Sequence, residues 1–373
     1  MNEIPSLSLK KDKIKKVRQE LTRIPLLLYT KLEELEIPYL NFTTRTMTNL
    51  LEEENYWVYG DKETKKTCET IGGISQLLKI TYTIEFLLDI LDKGYTSTLR
   101  EMYYCSESWG LAKFKSQQES NYLIENLEIY TGIPREEFGI RPEEKGCLVG
   151  PIILQETFKN KVKKVDCIED VISGYYTIPY NISKVKILSN NSRFIMAVET
   201  GGMFERLIEC QFHLKYRCTL VDLKGQPSRS TREMIKLISE KKKLPVLIFT
   251  DGDPWSYRIF ASVAYGAVKS AHLTKRMVSR NAHFIGIKPT DIQEYNLSSD
   301  ELSKKDILAL EQELKDKRFM NVSDWEEQIK FQLKLKRKSE QQALAKHGLS
   351  FVVDKYLPAK LKEIGIAPCR IQK

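Results

Sequence analysis

The sequence predicts an α/β protein, a parallel sheet preceded by a smaller, largely helical module. Three observations carry that class. Four short apolar runs, at residues 193–198, 218–221, 244–249 and 283–287, are too brief for helices and read as strands buried on both faces. Helical stretches alternate with them, one over about residues 255–271, at the spacing of βαβ units. Acidic residues stand where two of these strands run out, Glu199 after the first and Asp251-Gly252-Asp253 after the third.

In open α/β sheets, ligands gather beyond the carboxyl ends of the strands. Glu199, Asp251 and Asp253 are therefore candidates for one site. Carboxylates brought close repel each other, and a divalent cation with oxygen ligands removes the conflict, so magnesium is the expected ion. Asp-Gly is also ordinary turn chemistry, and for the aspartates alone the turn and the metal site stand equal. The second acidic strand end, Glu199-Thr200-Gly201-Gly202, tilts the choice toward metal.

Composition bounds the class. The 373 residues suffice for two domains and a sizeable core. Lys plus Arg number 59 against 50 Asp plus Glu, a net charge of +9 that favours a polyanionic partner only weakly. Seven scattered cysteines, with no C-x-x-C pair, point to reduced thiols and against a zinc site or disulfide framework. His213, His272, His283 and His347 share no motif spacing and read as structural. No apolar run approaches the roughly 20 residues that span a bilayer, and the first residues lack a signal-peptide core. A soluble cytoplasmic protein, with no membrane partner, is expected.

In chain order, a basic segment opens the chain with Lys10, Lys11, Lys13, Lys15, Lys16 and Arg18. Ile14, Val17, Leu21 and Ile24 lie on one helical face within it, and Pro25 is expected to end or bend that helix. Tyr56-Trp57-Val58-Tyr59 reads as a strand, and residues 80–91 as a helix with Gly94 at its cap. Short helices with a strand or wing are compatible with a winged-helix module, whose usual work is docking on duplex DNA. Ser116-Gln117-Gln118-Glu119 has capping-box spacing and opens a helix closed by Gly132.

Between these helices lies Arg100-Glu101-Met102-Tyr103-Tyr104. The tyrosine pair is readable as a core ring beside a surface one. It is also readable as a nucleophile, since a tyrosine hydroxyl attacks phosphodiesters to give phosphotyrosyl bonds. Phenolate at pH 7 costs roughly 4 kcal/mol against a pKa of about 10, which a guanidinium helps to offset. Arg100 lies on the same face as Tyr104 if the stretch is helical.

Glu199, followed 52 residues later by Asp251-Gly252-Asp253, resembles the Toprim signature of topoisomerases and primases. Val198-Glu199, Gly202-Met203-Phe204, Lys224-Gly225-Gln226-Pro227 and Thr250-Asp251-Gly252-Asp253-Pro254-Trp255 more closely resemble the topoisomerase VI A-subunit family. Gly139-Ile140-Arg141-Pro142, Leu148-Val149-Gly150-Pro151, Glu340-Gln341-Gln342-Ala343-Leu344 and Phe351-Val352-Val353 extend the likeness. That family is the cutting half of a type IIB topoisomerase and is similar to the meiotic double-strand-break protein. The resemblance implies a winged-helix-like (α+β) domain followed by a Toprim domain with a Rossmann-like parallel sheet. Residues 1–55 would be an arm, 56–150 the tyrosine-bearing domain, and 151–373 the Toprim domain with a helical extension.

The same resemblance implies that Tyr104 is the nucleophile and Arg100 its helper. Glu199 and Asp251 would hold Mg2+, with Asp253 ligating directly or through water. It implies double-stranded DNA as substrate, a homodimer in which the tyrosine of one copy works with the metal of the other, and nucleoid association. No phosphate-binding G-x-x-x-x-G-K loop occurs, so ATP would bind a separate B subunit in an A2B2 heterotetramer. Two rivals are a meiotic-type enzyme that cuts without resealing and an inactive DNA-binding scaffold. The chain departs from the family at Asp222-Leu223, where a Thr-Gly pair is commoner, and at Thr200 and Ser228, where lysine and aspartate are frequent. The loop carrying Lys224, Arg229 and Arg232 is well placed to bind a DNA phosphate and reads equally as a solvated loop. Helices are expected over 301–317 and 325–346, with Lys330, Lys334, Lys336 and Lys338 on a solvated face.

Overall fold

The computed structural model describes residues 5–53, 56–142, 146–158, 161–316, 318 and 324–367. Cys369, Lys317, Glu143, Glu144 and the side chains of Lys10 and Lys11 lie outside the described residues. The chain forms two compact units, Met1–Glu143 and Glu144–Lys373. No helix among the described residues is long and apolar enough to cross a membrane.

The first unit opens with helix α1 (Pro5–Glu33), which runs through Pro25. An internal proline costs about 3 kcal/mol. Leu21, Ile24 and Leu28 flank it and are buried, each stabilising by about 1.5–3 kcal/mol, so packing outweighs the lost hydrogen bond. Strands β1 (Tyr39–Thr43), β2 (Leu50–Glu53), β3 (Tyr56–Tyr59) and β4 (Glu63–Thr67) follow as two antiparallel pairs, β1 with β4 and β2 with β3. Helix α2 (Ile71–Lys93) starts at Thr70, which caps the Gly73 amide, and ends at Gly94 in the left-handed conformation. Helices α3 (Leu99–Cys105) and α4 (Gln117–Thr131) complete the unit. Ser116 caps α4 as expected, but the Glu119 carboxylate turns to the Lys115 amide instead of closing the box. Val17, Leu21, Ile84, Leu87, Met102 and Leu127 share one core.

In the second unit, β5 (Cys147–Val149), β6 (Ile152–Phe158), β7 (Lys161–Asp166), β8 (Tyr176–Thr177) and β9 (Val185–Asn190) precede the parallel strands. Strands β7, β6 and β9 make a three-stranded antiparallel sheet, an element absent from the sequence-based expectations. Then come β10 (Ile195–Val198), α5 (Gly201–Glu209), α6 (Phe212–Tyr216), β11 (Thr219–Asp222), α7 (Arg229–Glu240), β12 (Val246–Phe249), α8 (Pro254–Ala264), α9 (Thr274–Met277) and β13 (Ala282–Gly286). The main sheet has the order β13-β12-β10-β11-β5-β8. Its first four strands are parallel, as expected, while β5 pairs antiparallel with β11 and β8 antiparallel with β5, so the sheet is mixed. Gly150, just past β5, has φ +154°, and a Cβ there would stand 2.7 Å from Thr219 Cα. Successive residues of the central strands face opposite ways: Ile195, Ala197, Val246 and Ile248 enter one core, and Met196, Val198, Leu247 and Phe249 the other. That is why these strands read as unbroken apolar runs.

Beyond the sheet lie α10 (Pro289–Glu294), β14 (Asp300–Glu301), α11 (Lys304–Glu313), α12 (Trp325–Leu335), β15 (Arg337–Lys338) and α13 (Leu357–Glu363). Three helices are shorter than their sequences suggest, α11 among them, with Lys304–Glu313 in place of 301–317. Helix α8 stops at Ala264, where the Tyr265 and Gly266 amides both donate to Ala261 O and Gly266 takes φ +88°. Helix α12 stops because Lys336 turns left-handed, after which β15 pairs with β14. Lys338 is not on a solvated face: its Nζ lies 2.9 Å from Asp306 Oδ2.

Candidate functional site

Parallel strands β10 and β12 are neighbours, so the residues that follow them emerge side by side. Glu199 Oε2 accepts the Asp251 main-chain N–H at 2.9 Å, which ties the two strand ends together. Asp253 is the N-cap of α8, with Oδ1 accepting the Ser256 N–H and hydroxyl, each at 2.8 Å. The Ser256 hydroxyl also reaches Glu199 Oε2, at 3.3 Å. Burial, and then the charge of Asp251, push the Glu199 carboxyl up to about 7. Burial also raises Asp251 to about 6, opposed by the Gln341 amide.

The turn between the aspartates is held from a distance. Gly252 donates its N–H to Ser339 O at 2.7 Å, and its own carbonyl accepts Gln332 Nε2 at 2.9 Å. Gly252 has no left-handed φ. It is required for close approach, since a Cβ would come within 3.1 Å of Ile287 and 3.3 Å of Ser339 O. The Gln341 N–H donates to Asp251 Oδ1 at 2.8 Å. No sequence pattern marks Gln332, Ser339 and Gln341 as supports of the site, because they lie some 80 to 90 positions away in sequence. Ser256 was findable, three residues after Asp253 at N-cap spacing.

Two half-buried carboxyls raised to about 7 and 6 make a hard-oxygen donor set that suits a divalent cation. Asp253 differs, with Oδ1 committed to its helix. Among the described residues, no three acidic, histidine or cysteine side chains converge closely enough to enclose an ion by themselves. Glu199 and Asp251 are thus the pair brought together.

In the first unit, α3 is fixed by a full capping box: Thr98 Oγ1 accepts the Glu101 N–H at 3.1 Å, and Glu101 Oε2 accepts the Thr98 N–H at 2.6 Å. Met102 is fully buried. That anchor leaves Arg100 and Tyr104 exposed, Tyr104 at 57 %. The Arg100 guanidinium lies 5.9 Å from the Tyr104 ring centre. Tyr103 is half-buried against the core, its ring 5.5 Å from that of Tyr104.

The loop after β11 departs from expectation in one residue. Lys224 is exposed, but Arg232 is buried and its Nη1 faces Ser262 O at 3.4 Å. It packs against the end of α8 and is unavailable to an outside phosphate.

Three family models match the chain. The Toprim domain shared by Spo11 and the topoisomerase 6 A subunit covers residues 194–361. "Type IIB DNA topoisomerase" covers 75–140, and "All-beta domain in DNA topoisomerase VI alpha subunit" covers 143–191. The last spans the antiparallel strands that no sequence pattern announced. Among curated relatives, the A subunit of type 2 DNA topoisomerase 6 from Archaeoglobus fulgidus is 47% identical over 342 residues, 91% of this chain and 95% of that protein. The proteins of the same name from Haloarcula marismortui and Methanosarcina mazei are each 48% identical over 354 residues, 94% of this chain and 96% and 95% of theirs. On fold, site and likeness alike, the chain belongs to the topoisomerase VI A-subunit family.

Proposed function

We propose that the protein is the DNA-cleaving A subunit of a type IIB topoisomerase. The observation that carries the reading is Tyr104. It is more than half exposed on a short helix whose cap and buried Met102 fix its direction, with Arg100 beside its ring. An exposed, oriented phenol suits attack on a polymer that must come from outside. In the reaction, Tyr104 Oη forms a bond to phosphorus and gives up its proton to water. The bond from phosphorus to the 3′ oxygen breaks and that oxygen takes a proton from water, leaving a 5′-phosphotyrosyl end and a free 3′ hydroxyl. One phosphate ester replaces another, so reversal reseals the strand. Arg100 stabilises negative charge on the tyrosyl oxygen. Glu199 and Asp251, with Asp253 directly or through water, would hold Mg2+, which supplies positive charge at the phosphate.

A tyrosine cuts one strand, so a double-strand break uses two copies in a symmetric homodimer. We assign the first unit the DNA-docking, winged-helix-like role, and ATP hydrolysis to a separate B subunit in an A2B2 assembly. The Toprim model is shared with Spo11, but the near full-length relatives carry the topoisomerase name, which favours the resealing enzyme.

The test is covalent trapping. The chain with its B subunit, labelled duplex, magnesium and a nonhydrolysable ATP analogue is denatured and scored for label on protein. Label is expected with wild type and Tyr103→Phe and lost with Tyr104→Phe. Label retained by Tyr104→Phe would remove this tyrosine from the mechanism.

A further inference from the structure

Gln341 is fully buried, yet its polar atoms are directed at one place. Its Nε2 donates to the carbonyl of Phe249, the last residue of β12, at 3.0 Å. Its Oε1 accepts the Thr200 hydroxyl at 2.9 Å and the Thr200 N–H at 3.3 Å, just beyond β10. Its main-chain N–H meets Asp251 Oδ1 at 2.8 Å. One side chain therefore joins the ends of the two strands from which Glu199 and Asp251 project, while its backbone holds one carboxylate oxygen. A core filler would need none of these bonds, and leaving them unmade in the interior is costly.

We propose that Gln341 is a positioning residue for divalent-cation binding: it sets the spacing of Glu199 and Asp251 by bridging Phe249 and Thr200. The inference rests on the reading of these acids as cation ligands. Ser339 and Gln332 serve the same end at Gly252, so residues 332–341 act as a clamp on the acid-bearing turn. Thr200 is the partner in that bridge, through both its hydroxyl and its N–H.

The test measures Mn2+ binding to the full-length chain without DNA or nucleotide, from the electron paramagnetic resonance of free Mn2+. Gln341→Met keeps length and volume but removes both polar atoms. Thr200→Val removes the hydroxyl from the other side of the bridge. Glu199→Gln marks the loss of a ligand. Residues that orient metal ligands commonly change affinity by about 10–100-fold. We expect Kd to rise about tenfold in Gln341→Met and by less in Thr200→Val, with urea unfolding still cooperative in both. Wild-type Kd in folded Gln341→Met overturns the proposal, however its unfolding midpoint moves. If Gln341→Met does not fold, Thr200→Val decides in the same way. Wild-type binding no tighter than that of Glu199→Gln overturns the cation reading and this inference with it, an outcome distinct from tight binding that the variants leave unchanged.

Discussion

Glu199→Gln should stabilise the metal-free protein at pH 8 and leave it nearly unchanged at pH 4. The Glu199 carboxyl moves from an ordinary 4.5 to about 7, first through burial and then through the charge of Asp251. An acid that binds its proton more tightly in the folded state adds no penalty below pH 4.5, where both states are protonated. Between 4.5 and about 7 the unfolded chain ionises first, so it binds fewer protons and stability falls as pH rises. Above 7 the full penalty remains. At 1.36 kcal/mol per pH unit it is on the order of 3 kcal/mol. Glutamine keeps an oxygen to accept the Asp251 N–H but cannot ionise, so this penalty vanishes. The assay is urea unfolding in EDTA from pH 4 to 8, comparing variant with wild type. Their difference should grow through the window from 4.5 to 7, while the residual slope in the variant reports the other raised carboxyls, among them Asp251 at about 6 and Glu313 at about 8. Parallel profiles would refute the argument that burial makes this carboxylate costly. Saturating Mg2+ should stabilise wild type more at pH 8 than at pH 5, since the cation competes with protons for the same oxygens.

Thr98→Ala removes half of the capping box on α3 and should lower stability by about 1 kcal/mol. Thr98→Ser should recover most of it, as read from urea midpoints, and the alanine variant should give less covalent adduct because Tyr104 loses its fixed direction. Gly150→Ala puts a Cβ 2.7 Å from Thr219 Cα at a φ of +154°, for an expected loss of about 1–3 kcal/mol. Wild-type thermal stability in that variant would show that β5 does not seat on β11 as described.

The sheet was legible because its signal is local. Strands β10, β11 and β12 are buried on both faces, so each appears as an apolar run, and Glu199 and Asp251 are marked by standing where the runs stop; β13, at the sheet edge, is buried only toward its end. Strands β5 and β8 were not legible as members of the sheet: they are three and two residues long, below the length at which a pattern exists. Pro25 does not end its helix, because a backbone penalty is written in sequence and its offset, the burial of Leu21, Ile24 and Leu28, is tertiary. The end of α12 was hidden because a lysine in the left-handed conformation carries no sequence mark. Arg232 read as a surface cation for a related reason: its burial depends on α8, which is distant in sequence.

The candidate tyrosine and the acids differ in how they are held, and the difference follows from the tasks proposed for them. A nucleophile for a duplex has to stay in solvent, so burial cannot orient it. Much of its orientation is set by neighbours within six residues: the Thr98–Glu101 box, Met102 beneath and Arg100 beside it. Carboxylates gathered for a cation have to be desolvated and kept close against their own repulsion, which takes structure from elsewhere. Asp251 and Thr200 are accordingly held by Gln341, and Gly252 by Ser339 and Gln332. The acid pair can therefore reach its working geometry only after the carboxyl-terminal segment has packed, whereas α3 can take shape as soon as its own turn and core contacts form.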